Sequence, residues 1–213
     1  MFEKSVEELT ELGAQITTAE IAQQPELWRD TLNIYRENKE AIEAFLAEAR
    51  AMGEGRLSVV FTGAGTSDYV GDTCAPYLRH AGNTDLYDFK PIATTDIVSA
   101  PRDFLRAEDP TLVVSFARSG NSPESLAAVA VAKELVHNVK FLNITCAPEG
   151  KLAVESADDP NALTLLIPRA NDKGFAMTGS YSCMTLLSTL IFDEASDEQK
   201  AEWVETIAKM GEE

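Results

Sequence analysis

Positive charge, histidine and cysteine are all scarce in this chain of 213 residues, and each scarcity removes a class of function. Against 35 Asp and Glu stand 18 Lys and Arg, a formal net charge of -17, so the mean field repels nucleic acid and anionic lipid alike. Neither nucleic acid nor membrane is an expected partner. Cys74, Cys146 and Cys183 lie far apart with no C-x-x-C spacing, which excludes a disulfide framework and a thiolate metal site. They read as small buried residues in a reducing compartment and predict a cytoplasmic protein. No apolar run is long enough to cross a bilayer, and the acidic first residues do not resemble a signal peptide. His80 and His137 each follow the end of a helical pattern, where the helix dipole favours a cation. They read as helix-end residues rather than catalysts.

What the chain does have is apolar patterning, with 45% hydrophobic residues, enough for one substantial core. Strand patterns fall at Leu57 to Phe61, Leu86 to Ile92, Thr111 to Phe116, Lys140 to Ile144 and Leu163 to Ile167, with helical patterns between most of them. That alternation predicts an α/β fold, a doubly wound parallel sheet over residues 56–213. Residues 1–55 predict a helical arm of two helices. Thr17-Thr18-Ala19-Glu20 has capping-box spacing, Pro25 separates the helices, and Ile34, Ala41, Phe45 and Ala49 recur at helical spacing up to Gly53. A last helix starts at Ser196 and presents Trp203, Ile207 and Met210 on one face. No repeat, linker or low-complexity tract interrupts the chain.

The most informative stretch is Ser115-Phe116-Ala117-Arg118-Ser119-Gly120-Asn121-Ser122-Pro123-Glu124-Ser125, which joins a strand to a helix through a loop dense in hydroxyls. Ser122 reads as the N-cap and Pro123 as the first helical residue, so the amides from Gly120 to Glu124 lie at a helix N-terminus. Free amides and the positive end of the dipole meet there, a site for an anion such as phosphate. Plain capping needs only one hydroxyl, and the loop offers four serines and an asparagine. A second loop, Thr62-Gly63-Ala64-Gly65-Thr66-Ser67-Asp68, repeats the arrangement. It lacks the third glycine of a dinucleotide fingerprint and the lysine of a P-loop, which favours a small phosphorylated molecule. A third polar loop, Pro168 to Ser180, precedes another helix, and its Thr178 and Ser180 are equally readable as caps. Arg118 and Lys173 are available to an anion or to surface carboxylates, and Arg169 is assigned to the latter.

These residues carry a resemblance that covers most of the chain. Gly63-Ala64-Gly65-Thr66-Ser67 and Ser115 to Ser125 resemble the sugar-phosphate loops of the sugar isomerase (SIS) family. Gln24-Pro25-Glu26-Leu27-Trp28, Asn143-Ile144-Thr145-Cys146 and Asn171-Asp172-Lys173-Gly174-Phe175 look like the tagatose-6-phosphate ketose/aldose isomerase and galactosamine-6-phosphate deaminase group within it. The resemblance implies a flavodoxin-like sheet, a hexose 6-phosphate or amino-sugar 6-phosphate as ligand, and homo-oligomers formed through SIS domains. The phosphate and sugar would meet Gly65, Thr66, Ser67, Ser115, Arg118, Ser119, Asn121, Ser122, Lys173 and Thr178.

The group's members are nearly twice this length, and related two-domain isomerases carry a catalytic glutamate and a histidine before Gly-Pro in their second half. Neither His80 nor His137 precedes Gly-Pro, so the chain is expected to be an amino-terminal half, with no catalytic residue assigned. The implied chemistry is ring opening and proton transfer between C1 and C2, with loss of ammonia from an amino sugar; neither metal nor redox cofactor is expected. A sugar-phosphate sensor without catalysis is the alternative, although the acidic arm does not resemble a basic helix-turn-helix. Asp68, Glu124 and Asp172 are the carboxylates nearest the loops. Asp68 falls in a first helical turn, where the dipole favours its charged form and predicts a lowered pKa.

Overall fold

Runs of β-branched and aromatic residues become strands where both faces can be covered, and five runs do so here. The computed structural model describes residues 2–213 and begins with four helices, α1 (Val6–Glu11), α2 (Gln15–Ala22), α3 (Gln24–Glu37) and α4 (Lys39–Arg50). Strands and helices then alternate as β1 (Leu57–Gly63), α5 (Asp68–Ala81), β2 (Tyr87–Pro91), α6 (Thr94–Ser99), α7 (Pro101–Phe104), β3 (Thr111–Ala117), α8 (Pro123–Leu135), β4 (Val139–Thr145), α9 (Lys151–Ser156), β5 (Ala162–Leu166), α10 (Gly179–Phe192) and α11 (Asp197–Glu212). All pairings are parallel, in the order β2-β1-β3-β4-β5. This is the expected doubly wound α/β sheet. Its order reverses between β1 and β3, where α5 and α8 depart to opposite faces of the sheet, the position at which sheets of this kind form a ligand crevice.

One face of the sheet presents Phe61, Val114, Phe116 and Ile144 to a core shared with α3, α4, α5 and α10. At its centre the Phe61 ring lies 5.6 to 5.9 Å from the rings of Phe89, Phe116 and Phe192. Each such ring buried contributes about 1.5–3 kcal/mol, which is why this layer holds the strand ends in place. The opposite face, with Val60, Val113 and Phe141, packs on α6 and α8 through Ile97, Ala128 and Ala132.

Several local expectations are corrected. The arm has four helices, not two: the pattern from Ile34 to Ala49 is broken at Asn38, whose side-chain amide donates to the Ile34 carbonyl at 2.8 Å. Thr17 to Glu20 lie inside α2, which starts at Gln15 without a side-chain cap, so the capping-box spacing there is coincidental. Pro25 does mark a boundary, in the first turn of α3. In α8 the spacing of Leu126, Val129, Ala130, Lys133 and Val136 predicts one helical face, but the buried positions of the helix are Ser125, Ala128 and Ala132, while Ala130 and Lys133 are exposed, because the close approach of α8 to the sheet selects small residues. In α11 the buried line is Lys200, Val204 and Ala208; Trp203, Ile207 and Met210 are on the more exposed side.

Candidate functional site

At the carboxyl end of β1 the chain makes a tight turn, Gly65–Ser67, before entering α5. Gly65 has φ +59°, a left-handed conformation that a side chain would strain. The amides of Gly65 and Thr66 donate to no protein acceptor among the described residues, and the Ser67 side chain does not cap α5. Ser67 is 4% exposed, and its hydroxyl has no hydrogen-bond partner among the described residues. The turn is held from outside by α6, where the Thr94 hydroxyl donates to the Gly63 carbonyl at 2.9 Å. Thr94 was not among the expected residues, and no local pattern points to it.

The turn after β3 is built alike. Gly120 has φ +65°, Ser122 is extended at φ -66° and ψ 130°, and Pro123 is the first residue of α8. Ser122 occupies the N-cap position but does not cap, because its hydroxyl pairs with that of Ser125 at 2.6 Å. The amides of Gly120, Ser122 and Glu124 therefore reach the start of α8 with no protein acceptor among the described residues. Asn121 is used structurally, its side-chain oxygen accepting from the Lys151 amide at 3.1 Å. Ser119 is exposed. Gly65, Thr66, Ser67, Ser119 and Ser122 thus line the two turns that flank the β1/β3 reversal, with free donors.

Ser115 does not join them. It lies within β3 on the face shared with Val113, and its hydroxyl is sealed in the interior without a partner among the described residues. It belongs to a polar row across the sheet, Thr62, Ser115, Asn143 and Thr164, which the strand period turns toward α8 and α9 rather than toward the crevice.

The third loop differs in kind. Asp172, 5% exposed, accepts from the Thr178 amide (3.0 Å), the Thr178 hydroxyl (3.1 Å), the Gly179 amide (3.0 Å), the Ser180 amide (2.8 Å) and the Ser180 hydroxyl (2.5 Å). The N-terminus of α10 is thereby occupied by the chain's own carboxylate. From α2, buried Glu20 accepts from the amides of Lys173 at 2.6 Å and Gly174 at 2.8 Å. Arg118 ties this loop to the β3 turn, with Nη1 donating to the carbonyls of Asp172 at 3.3 Å and Gly174 at 3.2 Å. Thr178 is therefore a structural donor here, and the exposed Lys173 side chain lines a cleft with Ile16, Ala19 and Gln23 away from the two turns. Arg169 pairs with Glu26 and Asp30, as expected.

Electrostatics around the first turn also departs from expectation. Burial raises the pKa of Asp68, and the charges of Asp72 and Asp96 push it the same way, opposite to the lowering expected from the α5 dipole. The three cysteines are free and buried; burial lifts the Cys74 and Cys183 thiols to about 11. Among the described residues no group of three His, Cys, Asp or Glu stands close enough to hold a metal ion, and no helix is long and apolar enough to cross a membrane.

Comparison with known proteins bears on this geometry. No family model matches the chain. It is 43% identical over 189 residues to the D-galactosamine-6-phosphate deaminase AgaS of Shewanella sp. (strain ANA-3), covering 88% of this chain and 48% of that one. The solved tagatose-6-phosphate ketose/aldose isomerase from Escherichia coli superposes with a TM-score of 0.80 at 34% identity, over 90% of this chain and 50% of that one. The chain belongs to the sugar isomerase (SIS) family. A solved Clostridium novyi protein provisionally named a tagatose-6-phosphate ketose/aldose isomerase gives a TM-score of 0.89 at 43% identity, over 98% of this chain and 52% of that one. The SIS chain described here spans about half the length of the curated relatives it matches.

Proposed function

We propose that this chain binds the phosphate of a hexose 6-phosphate or amino-sugar 6-phosphate, as a unit of a ketose/aldose isomerase or amino-sugar-phosphate deaminase. The observation that carries the proposal is the pair of strand-to-helix turns, Gly65–Ser67 and 119–122, where the amides of Gly65, Thr66, Gly120 and Ser122 have no protein acceptor among the described residues at the β1/β3 reversal. A phosphate dianion satisfies several such donors at once, and charge-assisted hydrogen bonds are the stronger kind. The overall charge of -17 makes this local concentration of donors necessary, because the mean field opposes an anionic ligand.

Held by its phosphate, an open-chain sugar has its first two carbons positioned for proton transfer by binding energy drawn from a remote group. A carboxylate then moves a proton between C2 and C1 through an enediol; with a 2-amino sugar the corresponding enolamine tautomerises to a C2 imine, which water hydrolyses to the ketose with release of ammonia. Asp172 is unfit for that work, since five donors occupy its oxygens. The base is assigned to a residue outside the three loops. Names of relatives place isomerase and deaminase chemistry side by side, and the phosphate turns serve both. We further place the protein in the cytoplasm, on its buried free thiols, and expect pairing of SIS domains through their helices.

Calorimetric titration with tagatose 6-phosphate and galactosamine 6-phosphate tests the proposal. Micromolar to millimolar binding, displaced by inorganic phosphate and absent for unphosphorylated galactosamine, is expected; binding that ignores the phosphate contradicts it. The same chain should produce neither deuterium exchange at C2 nor ammonia.

A further inference from the structure

At the end of the sheet opposite to the two turns, a cavity of about 460 Å³ lies between α4, the start of β2 and the junction of α10 with α11. That volume suits a small organic ligand. Lys200 stands in its wall, 4% exposed, with Nζ 5.2 Å from the centre of the Tyr35 ring and one long hydrogen bond, to the Tyr35 hydroxyl at 3.4 Å. Lys140, similarly buried, also covers an aromatic ring, but it has Glu48 at 2.9 Å. Lys200 has no ion-pair partner among the described residues, because the two carboxylates that act on it are engaged elsewhere. Asp193 accepts from the Tyr77 hydroxyl at 2.6 Å and the Ala195 amide at 2.7 Å, and Asp197 accepts from Lys39. Burial accordingly lowers the Lys200 pKa. At the rim, exposed Arg50 donates to the Tyr87 hydroxyl at 2.6 Å and is likewise without a carboxylate among the described residues. In a chain with 35 acidic residues, a buried ammonium left without one asks for an anion from outside.

We propose that this cavity is a second ligand site, for a small organic acid whose single carboxylate pairs with Lys200 and whose apolar body lies against Ile42, Leu46 and Leu86. The site is separate from the phosphate turns and does not depend on their assignment. Tyr87 in its wall is the first residue of β2, whereas the turns leave the carboxyl ends of β1 and β3. Charge in the wall sets the ligand class. Glu43, Glu194 and Glu198 line the same cavity, so a phosphate ester, with its second negative charge, meets more repulsion there than a monoanion does. A neutral ligand leaves the ammonium unpaired. Arg50 adds positive charge where a carboxylate enters.

The test follows the backbone amides of the nitrogen-15-labelled chain as sodium benzoate is added, with benzamide as an uncharged control of the same shape. Amides at 83–87 and 196–200 should shift along one saturating curve with benzoate, and benzamide should bind at least about tenfold more weakly. Lys200→Met keeps the apolar stem and should weaken benzoate by about tenfold while leaving benzamide within about twofold. Arg50→Gln, at an exposed position, should weaken benzoate by about threefold with the unfolding midpoint unchanged. Equal affinity for benzoate and benzamide, no benzoate shifts at 83–87 and 196–200, or unchanged benzoate affinity in both variants overturns the inference. Each of these results leaves the phosphate assignment standing.

Discussion

The turn that opens α8 and the turn that opens α10 are the same device put to opposite uses. Each comes after a strand of one parallel sheet, each is rich in hydroxyls, and each presents backbone amides at a helix N-terminus. At α10 the amides of Thr178, Gly179 and Ser180 are taken by Asp172, and those of Lys173 and Gly174 by Glu20. At α8 the loop holds no carboxylate before Glu124, the Ser122 hydroxyl turns to Ser125, and the amides are left to something else. An internal anion makes the α10 turn structural, and its lack leaves the α8 amides open to the phosphate we propose. Arg118 stands between the two, bracing the closed loop with its guanidinium while its backbone opens the free one.

The sharpest way to break the comparison is to remove the internal anion. Asp172→Ala should destabilise the chain by about 3–5 kcal/mol in urea denaturation, because several buried donors lose their only acceptor. Ser119→Ala in the free turn should lower sugar-phosphate affinity by about 1–3 kcal/mol while leaving the unfolding midpoint unchanged within about 0.5 kcal/mol. A Ser119 variant that unfolds like the Asp172 variant would erase the distinction. Glu20→Ala should cost about 1–3 kcal/mol, less than Asp172→Ala, since only two amides depend on it. The smallest effect concerns pH. Asp68 has its pKa raised by folding, so the native state holds the proton more tightly and the group's charge costs stability as pH climbs through the carboxylate range. Asp68→Asn should therefore raise the melting temperature slightly at neutral pH and leave it unchanged in acid below that range. A gain confined to acid would reverse the sign and refute the cause.

How legible each feature is in the sequence depends on how local it is. Strand runs such as Thr111 to Phe116, the Pro123 helix start and the left-handed glycine of the β3 turn are set by neighbours within a few residues, and those elements stand where the patterns place them. The role of Asp172 reaches six to eight residues ahead, and that of Glu20 reaches across 153 and 154 residues, so no capping motif announces either. Ser115 shows the limit from the other side: it belongs to the hydroxyl-rich stretch by sequence but to the sheet interior by strand period, a parity argument available from the alternation of Val113, Ser115 and Ala117 with Val114 and Phe116. The direction of the Asp68 shift escapes a sequence reading because the dipole is a local feature, whereas Asp96 arrives from another element. The four-helix arm reads as two since Asn38 interrupts an otherwise continuous apolar spacing and a short separate helix, Val6–Glu11, stands ahead of the pattern.

The contrast between open and filled turns is tested most directly by tracking backbone amides in a nitrogen-15 spectrum as inorganic phosphate is added. The amides at 65–68, 120–122 and 124 should shift together along one saturating curve, while those at 178–180, already bonded to Asp172, should stay in place. Shifts concentrated at 178–180, or confined to the surroundings of exposed lysines, would contradict the account.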